Sequence, residues 1–213
     1  MLGSLLLSVR RRVLTTLSLG LVAGVVAQII IGAIVVLTGL NPWANMAHFL
    51  VSIAIVAGAH ALWVRISGTP EIRVREQMLL DVGSRLLVAL ATLVIVLGTI
   101  VTGSGPHSGD AERPARLGFD PQLMSWIHAD AVWLTGGLVL SLWAYARWSL
   151  RNPILERRTR RVLEIVFVQG AVGYAQYWTG LPWYLVAVHA ALAAWFWVAA
   201  LHVRSAARAA ASA

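Results

Sequence analysis

Six apolar runs, at residues 14 to 39, 43 to 64, 84 to 104, 121 to 146, 162 to 179 and 182 to 203, leave this chain few ways to fold. A helix rises 1.5 Å per residue, so about 20 apolar residues cross a hydrocarbon layer roughly 30 Å thick. A single helical segment satisfies its own backbone polar groups there, and an open strand does not. Of the 213 residues 59% are apolar and 12% charged, with a mean hydropathy of +0.75. No waterborne domain of this length buries so much apolar surface. The expected fold is therefore all-α, a polytopic membrane bundle of six transmembrane helices.

The basic residues orient it. All seventeen are arginines, and fifteen fall at one set of span ends: Arg10, Arg11 and Arg12; Arg65, Arg73, Arg75 and Arg85; Arg147, Arg151, Arg157, Arg158, Arg160 and Arg161; Arg204 and Arg208. Only Arg113 and Arg116 lie on the other side. The positive-inside rule puts both termini in the cytoplasm, and two glycine-proline turns and the loop 105 to 120 outside. The net charge of +8 would suggest nucleic acid in a soluble protein; distributed in this way it does not. Cysteine is absent, which excludes disulfides, thiolate catalysis and iron–sulfur ligation. The start, "MLGSLLLSVRRR", carries its charges after the apolar run, unlike a signal peptide.

The chain also repeats itself. Gln28, Gly32, Thr38, Gly39, Leu40 and His48 match Gln169, Gly173, Thr179, Gly180, Leu181 and His189, each pair 141 positions apart. Spans one and two form one hairpin and spans five and six its counterpart. Gly39 and Gly180 suit a left-handed helix end, Pro42 and Pro182 the first turn of the next helix, and Trp43 and Trp183 the water interface. Gln28 and Gln169 could donate across helices, with Gly32 and Gly173 allowing close approach. Spans three and four precede the second hairpin, so the natural repeat unit has four helices. The expected organisation is a remnant of a first half at 1–65, a cytoplasmic linker at 66–83, a complete second half at 84–205 and a cytoplasmic tail at 206–213. On this reading Met1 is internal to a longer parent; a six-span protein with a partial duplication is the alternative.

His128 lies seven residues beyond Pro121, and His189 seven beyond Pro182, so both imidazoles sit about 10 Å below the outer surface. Two histidines at one depth on separate helices are what a haem iron needs for ligation from both faces. Zinc would want three or four clustered ligands. The plainer alternative is a buried histidine bonded to a neighbouring carbonyl. His48 is the repeat mate of His189. His60, twelve residues further along the same helix and about 18 Å away, cannot partner it. His60 and His202 read as interfacial residues. His107 lies in the outer loop with Asp110, Glu112, Arg113 and Arg116. Arg113 or Arg116 could pair with haem propionates, and a solvated loop explains them equally well. Asp130 could support a ligand, relay protons or pack a helix.

The segments "VLTGLNPWANMAHFLVS", "LGTIVTGSGPHSGD", "WIHADAVWL" and "VQGAVGYAQYWTGLPWYLVAVHAA" together resemble the haem A synthase family, particularly its actinobacterial members, over nearly the whole chain. The resemblance implies helices three to eight of an eight-helix bundle made of two four-helix halves. It implies that His128 and His189 are axial ligands of a retained haem b, and that His48 is one of two histidines in the pocket for the substrate, haem O. The family oxidises a ring methyl of haem O to a formyl group, giving haem A for terminal oxidases. The implied setting is a bacterial plasma membrane, with haem O synthase and terminal oxidase assembly as partners, lipid around it, and a homo-oligomer compatible. The chain departs from the family in lacking a counterpart for the glutamate of its first outer loop and for the other first-site histidine, so this chain alone could be inactive. The competing readings are a b-type cytochrome that only carries electrons, and a haem-free scaffold or transporter.

Overall fold

The computed structural model describes residues 11–68, 77–106, 108 and 115–211, and all regular structure among them is helical. Six helices follow in order: α1 (Arg11–Leu37), α2 (Pro42–Ser67), α3 (Gln77–Ser104), α4 (Pro121–Ala144, continued by a π-helical turn Tyr145–Ser149), α5 (Pro153–Trp178) and α6 (Trp183–Ala211). Five of them, all but α5, contain a segment long and apolar enough to cross a membrane, as in a multi-pass membrane protein.

At the arginine-bearing ends the helices outrun the apolar runs. α3 begins seven residues before its run, where Asp81 and Arg85 pair at 2.7 Å one turn apart. α5 begins nine residues early, capped by Asn152, whose side chain accepts from the amides of Ile154 and Leu155. Its first twelve residues hold Glu156, Arg157, Arg158, Arg160, Arg161 and Glu164. The uncharged remainder, Ile165–Trp178, spans only about 21 Å as a helix. Hydropathy registers apolar length, and a helix continues wherever its outer turns can be solvated.

The chain divides into two compact units, Met1–Thr69 with Thr102–Gly118, and Pro70–Val101 with Phe119–Ala213. In the first, α1 packs against α2 through small residues. A Cβ at Gly24 would lie 2.8 Å from Cγ1 of Ile55, and one at Gly58 3.2 Å from Cδ2 of Leu21. Leu117, buried, donates its amide to the carbonyl of Gly103 at 2.8 Å and packs where a Gly103 side chain would be. Leu19, Val22, Val26, Ile29 and Ile30 of α1 remain exposed, an apolar surface that water would not tolerate and lipid would.

In the second unit α4 packs on α5 and α5 on α6. α3 meets α4 where Leu142 fills the notch at Gly83. At the arginine-bearing end Leu80, Ala146, Leu155, Ala206 and Ala207 form a closed apolar cluster. Beside it Arg204 reaches Asp81 at 2.6 Å and Ser84 at 3.1 Å, tying α6 to α3.

The two glycine turns are built alike. φ is +64° at Gly39 and +76° at Gly180, and the following leucines, Leu40 and Leu181, are left-handed too at +60°. The Leu40 amide donates to the carbonyl of Val35 and the Leu181 amide to that of Gln176, both at 2.8 Å, closing each helix end with the six-residue bond of a Schellman motif. The hydroxyls of Thr38 and Thr179 donate to the carbonyls of Ile34 and Ala175 at 2.6 Å. Glycine at this position is expected from the sequence; a second left-handed residue, a leucine, is not, since its Cβ costs about 1–2 kcal/mol there.

Candidate functional site

Three histidines occupy seats of one design. On α1, Gln28 and Gly32 are one turn apart and so share a face. The Gln28 amide donates to the backbone carbonyl of His48 at 2.9 Å and to the hydroxyl of Ser52, while a Cβ at Gly32 would lie 3.4 Å from Cε1 of the His48 ring. On α5, Gln169 donates to the carbonyl of His189 at 3.1 Å, and a Cβ at Gly173 would lie 3.5 Å from that ring's Cε1. The repeat mates thus make the same contacts within their own units. His128 on α4 has a third seat: a Cβ at Gly98 of α3 would lie 3.2 Å from its Cε1 and 3.7 Å from Nδ1. One turn before Gly98, where the other two seats carry glutamine, stands Val94.

Sequence reasoning missed the Gly98–His128 pairing. Its signal is a glycine interrupting an apolar helix, which marks close approach by something bulky, but the long connection between α3 and α4 hides the partner.

His128 and His189 come together from α4 and α6. Their ring centroids are 6.5 Å apart, with planes at 71°. Metal–imidazole bonds of about 2 Å, with each ring centre roughly 1 Å behind its nitrogen, put two imidazoles on opposite sides of one metal about 6 Å apart, centre to centre. The observed spacing fits that requirement, and the steep angle keeps the ring faces from stacking on one another.

The Nδ1 atoms of His48, His128 and His189 are all buried without a hydrogen-bond partner. Buried polar atoms in folded proteins are nearly always paired, and an orphan costs about 1–3 kcal/mol. These three imidazoles, each half-buried in a glycine notch, thus lack the hydrogen bond at Nδ1 that a satisfied core histidine would make.

The other candidates are placed as follows. Asp130 is exposed. Arg116 is exposed and belongs to the first unit. Arg113, His107, Asp110 and Glu112 lie outside the described residues. His60 is half-buried with its ring 6.0 Å from that of Trp63. His202 is half-buried, and its carbonyl accepts from Arg158 at 2.7 Å and from Ser205 at 3.0 Å. Among the described residues no group of three or more histidine, aspartate or glutamate side chains is placed to hold a metal ion; a haem iron takes only two protein ligands and leaves four positions to the porphyrin. In comparison with known proteins, the chain matches no family model, no curated protein and no solved structure.

Proposed function

We propose that this chain holds a haem b between His128 and His189 in the plasma membrane of a bacterium, as part of a haem A synthase that oxidises a methyl group of haem O to a formyl group. The observation that carries the reading is the pair of imidazoles from two helices, whose ring centres, 6.5 Å apart, would let both residues hold one metal. Four sequence segments that resemble the synthase family lend it the reaction. Both termini would lie in the cytoplasm, and haem O synthase and a terminal oxidase would be the partners on either side of the reaction.

When bound, a six-coordinate haem supplies one-electron transfer. The chain's own residues do the holding. Gly98 and Gly173 let the helices close on the two imidazoles, which fixes their orientation and leaves no room for water at those ring edges. His48, in a seat like that of His189, would be the histidine of the haem O pocket, orienting the porphyrin so that one methyl is presented for oxidation. The synthase reading further requires a second imidazole facing His48.

The His128–His189 pair suits, as a second reading, a b-type cytochrome that carries electrons and leaves haem O unchanged. Both readings expect a six-coordinate haem spectrum from the purified protein, lost on His128→Ala or His189→Ala. Pigment extraction and mass analysis after supplying haem O separate them. Haem A formed, and abolished by His48→Ala, supports the synthase; haem O recovered intact from a membrane with every other partner present removes it. Protein free of any Soret absorbance would remove both.

A further inference from the structure

The two members of the histidine pair are held differently. The His128 ring lies against Gly98 of α3. His189 meets α5 twice: its ring lies against Gly173, and its backbone carbonyl accepts from the Gln169 side chain at 3.1 Å. A helix carbonyl has two lone pairs, one used by the amide four residues on, so a neighbouring helix can bond to it without breaking the ladder. In apolar surroundings no water competes for that bond. The Gln169 Oε1 is itself buried and without a donor, so the hydrogen bonding of this side chain is directed at one carbonyl. A glutamine kept only for packing would be replaced by an apolar residue of the same shape at no cost in unsatisfied atoms. The tie also occurs twice, since Gln28 makes it to His48 at the same register.

We infer that Gln169 is a positioning residue for His189, fixing the height and rotation of the α6 turn that presents the imidazole to the metal. This rests on the haem-ligating reading of the pair. His189 is then held at its backbone as well as at its ring.

A second bond between the same helices supplies the control. Arg158 of α5 donates to the carbonyl of His202 on α6 at 2.7 Å, eleven residues from Gln169 along α5 and near the arginine-bearing end. Removing either bond takes one side-chain tie from the α5–α6 hairpin, but only Gln169 acts at the ligand. The experiment compares the full chain, purified with haem b, with Gln169→Met and Arg158→Met. It reads the rate of haem transfer to apomyoglobin, the low-spin electron paramagnetic resonance signal and the thermal midpoint of the haem-free protein. Loss of a group supporting a metal ligand typically weakens binding about 10–100-fold, so Gln169→Met should release haem about tenfold faster or more and shift the low-spin signal. Arg158→Met should change neither. Equal effects of the two variants, or an unchanged signal in Gln169→Met, overturn the inference while the haem site itself stands. A parent chain that takes up no haem overturns the underlying reading instead. If Gln169→Met does not fold, Gln169→Asn, which keeps the amide but shortens its reach, is read by the same criteria.

Discussion

At the scale of single residues the site is defined by what is missing from three of them. Gly98, Gly32 and Gly173 each leave space that a histidine ring takes, at 3.2, 3.4 and 3.5 Å from where a Cβ would be. The differences are small but straddle the boundary between a contact that must give and one that is ordinary. Gly98→Ala should therefore displace His128 by a few tenths of an ångström, at an overpacking cost of about 1–3 kcal/mol, and lower the haem retained per protein. Gly173→Ala should leave it nearly unchanged. Absorbance in the Soret region after gel filtration checks both, and equal retention in the two variants would mean that the notch at Gly98 is not what seats His128. That Gln28 and Gln169 could donate across helices was legible in the sequence because the repeat displays each twice; that they donate to the carbonyls of His48 and His189 was not. The Gly98 notch was not, because nothing in the order of residues says which of many glycines faces an imidazole.

At the scale of elements, the two hairpins show how far turn chemistry carries. Glycine then proline, with a threonine before, is enough to forecast where α1 and α5 stop, and the left-handed φ of Gly39 and Gly180 agrees. No side-chain atom lies within 4 Å of a Cβ built on either glycine, so an alanine there meets no steric neighbour and its cost is backbone strain alone. Gly39→Ala and Gly180→Ala should each destabilise by about 1 kcal/mol, read as a lower midpoint on unfolding in detergent. A loss at one turn and none at the other would break the equivalence of the hairpins. On the arginine-bearing side α3, α5 and α6 continue seven to nine residues beyond their apolar runs, since the runs end where the arginines begin and the helices do not. The same effect separates α5 from the other five. Its helix is 26 residues long, but charge occupies its first half, and an apolar window of the required length is absent.

At the scale of the whole chain, contacts between distant segments decide what local patterns cannot. Arg204 and Asp81 are 123 residues apart in sequence and 2.6 Å apart in space, with Arg85 and Ser84 completing the cluster. Arg204→Met should lower the thermal midpoint, Asp81→Asn should lower it less because Ser84 still accepts or donates there, and the double variant should fall short of their sum. Both side chains retain some exposure, so the coupling should shrink at high salt; purely additive losses at low salt would show that the bond does not tie α6 to α3. Apolar length, arginine placement and the 141-residue repeat determined by themselves that the chain is helical, suited to a membrane and carries recurring histidines within its apolar helices, because hydropathy and charge act locally and survive in the order of residues. That His128 faces His189 across 6.5 Å, each in its glycine notch, was decided only by tertiary structure, because the meeting point of two helices depends on every side chain between them.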